Sequence, residues 1–127
     1  MARILIVDDS RTSRKILRAI LEEHGHEVIA EAVNGEDGIA KYIESRPELT
    51  TMDITMPVMD GLEALKRIRE HDGYARIIMV TAAGQKNKMV DAIKYGAAEF
   101  LAKPYEAAQI AEIIDKVLAS DETHNLD

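Results

Sequence analysis

The chain alternates between short apolar runs and longer segments in which an apolar residue recurs every three or four positions, and it does so five times. A short continuous apolar run is typical of a strand buried on both faces, and the wider spacing is typical of an amphipathic helix. Because parallel strands must be joined by crossovers, five such units predict an α/β domain whose parallel sheet carries helices on both faces. We place this domain in residues 1–120, followed by a polar, frayed tail in residues 121–127.

Each apolar run is predicted as a strand, and each strand is followed by a helix with its apolar stripe toward the sheet. The predicted strands are 4–7, 27–32, 49–53, 76–81 and 99–103. The predicted stripes are Ile16, Leu17, Ile20 and Leu21; Ile39, Tyr42 and Ile43; Leu62, Leu65 and Ile68; Met89, Val90 and Ile93; and Ile110, Ile113, Ile114, Val117 and Leu118. Helix ends have their own signals. We expect N-caps at Asn34 and Asp60 and helix stops at Gly25, Pro47 and Gly96.

The composition excludes several classes of protein. The 127 residues suit one domain with a single core, and the absence of cysteine excludes disulfides, thiolate metal sites and thiol nucleophiles. A net charge of −7 disfavours binding to nucleic acid or to anionic membranes. No apolar run is long enough to span a bilayer and the N-terminus lacks a signal-peptide pattern, so we expect a cytoplasmic protein without membrane insertion.

Polar residues stand where the predicted strands end. Asp8 and Asp9 follow the first strand, and Asp53 ends the third. Thr81 ends the fourth strand and Lys103 the fifth. The carboxyl ends of parallel strands share one edge of the sheet, and ligands of open α/β sheets bind in the crevice outside that edge. We therefore expect three carboxylates, a hydroxyl and an ammonium to converge there.

The chemistry of these groups points to a metal and a phosphoryl group. Carboxylates at close range raise one another's pKa, and a divalent cation relieves the repulsion. Mg²⁺ prefers oxygen ligands, often takes only one or two carboxylates, and leaves sites open to phosphate oxygens. Lys103 offers a positive charge to a phosphoryl group, and Thr81 offers a hydroxyl donor. An aspartate is a known covalent acceptor in phosphoryl transfer, which depends on positioning and charge neutralisation.

Four short motifs mark the ends of four different predicted strands. They are IVDDS (6–10), MDITMPVMDG (52–61), VTA (80–82) and AKPY (102–105). In this order and at these spacings they resemble the CheY-like response-regulator receiver domain, in its stand-alone, chemotaxis-type form, over about residues 3–119. The resemblance implies the flavodoxin-like (βα)5 fold, with a five-stranded parallel sheet in the order 2-1-3-4-5. Thr50 and Thr51 depart from the family, which usually has apolar residues there.

The resemblance assigns a role to each site residue. Asp53 corresponds to the residue that accepts the phosphoryl group, Thr81 to a hydroxyl that moves toward it, and Lys103 to the lysine that pairs with it. Phe100 corresponds to an aromatic that changes rotamer on activation, but as the single phenylalanine it is equally consistent with a core role. The Lys103–Pro104 bond is usually cis in this family. The implied Mg²⁺ ligands are Asp8, mainly through water, Asp9, Asp53 and the backbone carbonyl of Thr55.

The resemblance also implies a function in signalling. A histidine kinase or a phosphotransfer protein would donate the phosphoryl group, and the modified chain would switch its binding to a partner protein. DITMP and the length of the chain resemble chemotaxis receivers, with the flagellar motor switch as a candidate partner, while single-domain receivers also serve phosphorelays and other regulators. The chain would not be an enzyme, since it would promote only its own phosphorylation and dephosphorylation. The predicted partner surface is the exposed face of residues 84–96 together with the last strand and helix.

Two other classes of protein remain as alternatives. SRTS (10–13) resembles the phosphate loop of a flavin-binding electron carrier on the same fold. Against this class, Asp8 and Asp9 would repel a phosphate, and no tryptophan is present to stack on a flavin. A phosphohydrolase of the haloacid dehalogenase type would carry Asp-x-Asp after the first strand, whereas here Asp53 and Thr55 follow the third.

Overall fold

The structure is a computed structural model that describes the backbone of residues 1–124 and the side chains through residue 120. Its elements are β1 (Arg3–Val7), α1 (Arg11–Glu23), β2 (Glu27–Ala32), α2 (Gly35–Ser45), β3 (Leu49–Asp53), α3 (Gly61–His71), β4 (Ile77–Thr81), α4 (Lys86–Lys94), β5 (Glu99–Ala102) and α5 (Ala107–His124). The strands form one sheet in the order β2-β1-β3-β4-β5, and every neighbouring pair is parallel. The predicted flavodoxin-like architecture is confirmed.

The sheet is buried on both faces, as its apolar runs predict. Leu5 and Met52 belong to a core cluster that includes buried residues of α2, α3 and α4. Ile6 and Ile78 belong to a second cluster, which includes buried residues of α1 and α5. Burying one such side chain contributes about 1.5–3 kcal/mol, so these two layers fix the helices against the strands. The two layers hold the central strands in place, and they thereby fix the edge of the sheet at which these strands end.

In α1 and in α2, one residue predicted to face the core is about half exposed. Ile16 is 49% exposed and Ile43 is 47% exposed. Their chain neighbours Leu17 and Tyr42 are buried. Adjacent helix positions point about 100° apart, so one residue of such a pair can face the sheet while the other faces solvent. The buried stripes of α1 and α2 are therefore narrower than the sequence pattern indicates.

The predicted inward stripe of α4 is wrong at Val90 and Ile93, although Met89 lies on the inward side. Val90 and Ile93 are 70% and 62% exposed, whereas Ala92 is fully buried. Met89 and Tyr95 are half-buried, so the inward face passes through residues three apart with an alanine at its centre. A small residue at that position lets the helix lie close to the core. Because this face of α4 is turned toward the core, the two large apolar side chains of Val90 and Ile93 lie in solvent.

The predicted helix ends are confirmed. The side chain of Asn34 accepts a hydrogen bond from the backbone N–H of Asp37 at 2.8 Å. Asp60 likewise accepts one from Glu63 at 2.9 Å, so both residues are N-caps. Gly25 and Gly96 follow α1 and α4 with φ angles of +85° and +94°. Glycine adopts this left-handed conformation without steric cost, which explains where these helices stop.

The last helix continues further than the sequence suggests. Its backbone runs to His124, so residues 121–124 of the predicted frayed tail are helical. Residues 125–127 of that tail lie outside the described residues. The inward residues of α5 are as predicted, since Ile110, Ile114 and Val117 are buried. Within residues 1–124 no helix combines the length and apolar character needed to cross a membrane.

Candidate acidic metal site

Three carboxylates meet at the carboxyl edge of the sheet, where β1 and β3 lie side by side. One oxygen from each of Asp8, Asp9 and Asp53 lies within 4.8 Å of the other two. Asp8 and Asp53 are buried, and Asp9 is exposed at the mouth of the group. The parallel pairing of Val7 with Met52 places the two strand ends level with one another. The expected convergence of these three side chains is therefore found.

Lys103 brings one positive charge to the three carboxylates. Its Nζ lies 3.0 Å from Asp8 Oδ2 and 3.6 Å from Asp53 Oδ2. The lysine follows β5 and precedes a cis peptide bond to Pro104, as the family resemblance implies. One ammonium cannot neutralise three ionised carboxylates, so the group keeps an excess of negative charge. A divalent cation held by carboxylate oxygens suits this set of donors.

Hydrogen bonds to its side chain and to its backbone carbonyl hold Asp8 in place. Its Oδ1 accepts a hydrogen bond from the backbone N–H of Ser10 at 2.8 Å. Its carbonyl oxygen accepts one from Arg14 Nη1 at 2.8 Å, and Arg14 also pairs with Glu31 at 3.0 Å. These contacts fix the turn between β1 and α1. Neither Ser10, the N-cap of α1, nor Arg14 was predicted from the sequence, although serine is a preferred N-cap residue. An arginine early in a helix carries no specific signal.

Asp53 lies in an environment that disfavours its ionised form. Burial raises the pKa of Asp53 to about 6, and the charges of Asp8 and Asp9 raise it as well, while Lys103 opposes them. Its side chain is only 10% exposed. A buried carboxylate with neighbours of the same charge gains strongly from a bound cation. The electrostatics of the site therefore agree with its donor set.

The chain after Asp53 folds back against the end of its own strand. The N–H of Gly61 donates to the carbonyl oxygen of Ile54 at 2.7 Å, which closes the loop between β3 and α3. Within this loop, Val58 has a φ angle of +69°, a conformation that β-branched residues rarely adopt. Thr55 stands at the start of the loop, directly beyond the acidic group. This hydrogen bond joins the two ends of the loop, and Thr55 lies within it, two residues beyond Asp53.

Thr81 and Phe100 line a cleft that Lys103 also borders. The Thr81 hydroxyl donates to the carbonyl oxygen of Leu101 at 3.3 Å. Thr81 ends β4 and therefore lies at the predicted edge of the sheet, but its hydroxyl is hydrogen-bonded to the backbone of β5. Phe100 is half-buried, packs against the core cluster and lines a cleft of about 330 Å³ with Thr81 and Lys103. Its position is compatible with both of the roles that the sequence leaves open.

Gln85 joins two loops of the site and was not found from the sequence. Its side-chain Oε1 accepts a hydrogen bond from the N–H of Ala82 at 2.7 Å. Its Nε2 donates to the hydroxyl of Thr55. A single glutamine in a loop carries no pattern that would reveal such a bridge. Its side chain connects the segment after β3 with the segment after β4.

The fold and the site define an open α/β domain with an acidic centre at the carboxyl edge of its sheet. Comparisons with known proteins refine this class. Residues 4–115 match the family described as the response regulator receiver domain. The chemotaxis protein CheY of Bacillus subtilis is 51% identical over 116 residues, which cover 91% of this chain and 97% of that protein. CheY of Thermotoga maritima is 44% identical over 115 residues, with coverages of 91% and 96%.

A solved structure agrees with these relatives. A chain in the crystal structure of the CheX-CheY-BeF3-Mg²⁺ complex from Borrelia burgdorferi superposes with a TM-score of 0.87 at 36% identity, covering 91% of this chain and 88% of that chain. The chain belongs to the response regulator receiver domain family, whose members are signalling switches. A flavin-binding electron carrier is not favoured by these findings.

Proposed function

We propose that this chain is a phosphorylation-operated switch of a two-component system and that Asp53 accepts the phosphoryl group. The observation that carries the proposal is the grouping of Asp53 with Asp8 and Asp9 within 4.8 Å, beside the Lys103 ammonium. This arrangement brings a nucleophilic carboxylate, cation ligands and a counter-charge for phosphate to one place. The similarity to chemotaxis proteins named CheY supports a role in chemotaxis.

We assign the cation as Mg²⁺. Its ligands would be Asp9, Asp53 and the backbone carbonyl of Thr55, with Asp8 acting mainly through water. When bound, the ion would neutralise the carboxylates and the phosphoryl oxygens, which is its usual contribution to phosphoryl transfer. The similar complex from Borrelia burgdorferi contains Mg²⁺ together with BeF3, which supports this choice.

The residues of the chain then have separate tasks. An Asp53 carboxylate oxygen forms a bond to phosphorus while the bond from phosphorus to the donor's imidazole nitrogen breaks. The donor's ring already carries a proton on its other nitrogen, so it takes the electron pair of the broken bond and leaves as neutral imidazole. The Lys103 ammonium turns from Asp8 and Asp53 toward the transferred phosphoryl oxygens. The Thr81 hydroxyl leaves the carbonyl of Leu101 and donates to the phosphoryl group. Phe100, which lines the adjoining cleft, then changes rotamer and moves into the space that Thr81 vacates.

We propose that a histidine kinase or a phosphotransfer protein supplies the phosphoryl group in the cytoplasm. The chain would act as a switch and would promote only its own phosphorylation and dephosphorylation. The output surface would be formed by α4, β5 and α5, because Val90 and Ile93 leave α4 with a large exposed apolar area. A protein of the flagellar motor switch is a candidate partner for that surface, which is consistent with a relative crystallised with a second protein.

The proposal is tested by incubating the protein with Mg²⁺ and acetyl phosphate and measuring its intact mass. We expect one phosphoryl adduct in the wild type and none in Asp53→Asn or in the presence of a chelator. Asp60→Asn is a matched control, because this exposed aspartate caps α3 outside the acidic group and should leave the adduct in place. An unmodified wild type, or an adduct that persists in Asp53→Asn, would contradict the proposal.

A further inference from the structure

The segment that follows β4 is held to the segment that follows β3 by one side chain. The N–H of Ala82 donates to Gln85 Oε1 at 2.7 Å, and Gln85 Nε2 donates to the Thr55 hydroxyl. A backbone N–H can only donate, so it fixes the oxygen of the carboxamide on the Ala82 side. The amide nitrogen must then face Thr55, whose hydroxyl can accept. We call this pair of hydrogen bonds the Gln85 strap.

The strap connects the two segments whose relative position decides the state of the site. Thr55 lies two residues beyond Asp53, and Ala82 directly follows Thr81. In this structure the Thr81 hydroxyl is bonded to the carbonyl of Leu101. A movement of the Thr81 backbone toward Asp53 would carry Ala82 with it, because the two residues share a peptide bond, whereas a rotation of the Thr81 side chain alone would not. With the backbone movement, the Ala82 N–H would move relative to Gln85.

We infer that Gln85 is a positioning residue that stabilises the resting arrangement of the site through this strap. The inference rests on the proposed function, since it assumes that phosphorylation draws the backbone of Thr81 and Ala82 toward Asp53 as well as turning the Thr81 hydroxyl. A contact made only in the resting state lowers the apparent affinity for any ligand that favours the active state. The strap therefore sets how readily the site accepts a phosphoryl group or its mimic. No helix-capping role accounts for Gln85, because its side chain makes no capping hydrogen bond to α4.

The test measures the apparent affinity for beryllofluoride, a mimic of the phosphoryl group, with Mg²⁺ by calorimetry. Gln85→Ala should bind about three- to tenfold more tightly than the wild type, as expected for the loss of one or two resting-state hydrogen bonds. Thr55→Val removes the acceptor hydroxyl but keeps the backbone carbonyl, and it should tighten binding in the same direction. The double variant should bind no more tightly than Gln85→Ala alone, because both changes break one strap.

Asn87→Ala is the matched control, since this exposed amide lies two residues further on, in the first turn of α4. It should bind beryllofluoride as the wild type does. Unchanged or weaker binding in Gln85→Ala, or additive effects in the double variant, would overturn the role of the strap while leaving the proposed function intact. If the wild type failed to bind beryllofluoride at all, the proposed function would fail, and the inference that rests on it would fail too.

Discussion

Gly61 lies against the carbonyl group of Asp53 so closely that a Cβ at position 61 would be 1.9 Å from the Asp53 oxygen. The obstacle is backbone at the end of a buried strand, which cannot move aside as a flexible side chain can. We predict that Gly61→Ala destabilises the fold by about 3 kcal/mol or more, in the range of severe overpacking. Urea unfolding followed by circular dichroism measures this. Gly73→Ala is the control, because a Cβ there meets nothing within 4 Å, and it should change stability by less than about 0.5 kcal/mol.

The hydroxyl groups of Thr50 and Thr51 are buried in β3 without a hydrogen-bond partner among the described residues. A buried donor left unpaired is costly, and valine has nearly the same shape without the hydroxyl. We predict that Thr50→Val and Thr51→Val each stabilise the protein by about 1 kcal/mol. Thermal unfolding measures the change, with the exposed Thr12→Val as a control of little effect. A loss of stability on either buried substitution would show that the hydroxyl has a partner, such as an internal water.

Stability should depend on pH through Asp53. The pKa of Asp53 is about 6 in the folded chain and near its ordinary value of 3.8 when unfolded. Between these values the folded state binds more protons, so the metal-free protein loses stability as pH rises through this window, by about 3 kcal/mol in total. Asp53→Asn should remove this loss and be more stable than the wild type at pH 7. Unfolding curves from pH 4 to 8 measure it; a wild type that gains stability over this window relative to Asp53→Asn would contradict the account.

His26 should act in the opposite direction. Its Nδ1 accepts a hydrogen bond from the N–H of Ala2 at 3.0 Å, which requires an unprotonated nitrogen. Burial lowers the pKa of His26, the N-terminal charge lowers it further, and Asp115 opposes both. The unfolded state therefore binds the extra proton first as pH falls below about 6.5, and stability decreases there.

This dependence is best measured in the Asp53→Asn background, where the opposing contribution is absent. His26→Gln should flatten the remaining loss of stability below pH 6.5, whereas His71→Gln, at an exposed position, should leave it unchanged. Equal profiles for the His26→Gln protein and its parent would show that the Ala2 hydrogen bond does not carry the effect.

Much of the fold follows from the sequence because two rules act on long stretches of it. Apolar runs predict β2 and β3 with their observed bounds, and parallel strands necessarily bring Asp8 and Asp53 to one edge. The helical pattern is less reliable in α4, where the burial of Ala92 leaves Val90 and Ile93 outside. Periodicity reports which residues are apolar, but packing against a particular neighbour decides which of them is covered.

The parts of the site that escaped prediction depend on contacts between distant segments. Gln85 reaches Thr55 across 30 positions, and no local pattern marks a glutamine that does so. The close approach of Gly61 to Asp53 depends on the path of the loop between them, which composition does not specify. The bond of Thr81 to Leu101 likewise depends on a rotamer rather than on a residue type.

The central claim is that Asp53 carries the phosphoryl group. The direct measurement is to phosphorylate the chain with acetyl phosphate and Mg²⁺, reduce the acyl phosphate with labelled borohydride, and sequence the peptides by mass spectrometry. We predict that the label appears at residue 53, as the homoserine formed from an aspartyl phosphate, and not at Asp8 or Asp9. Label at another residue, or a stable adduct that resists reduction, would contradict the account.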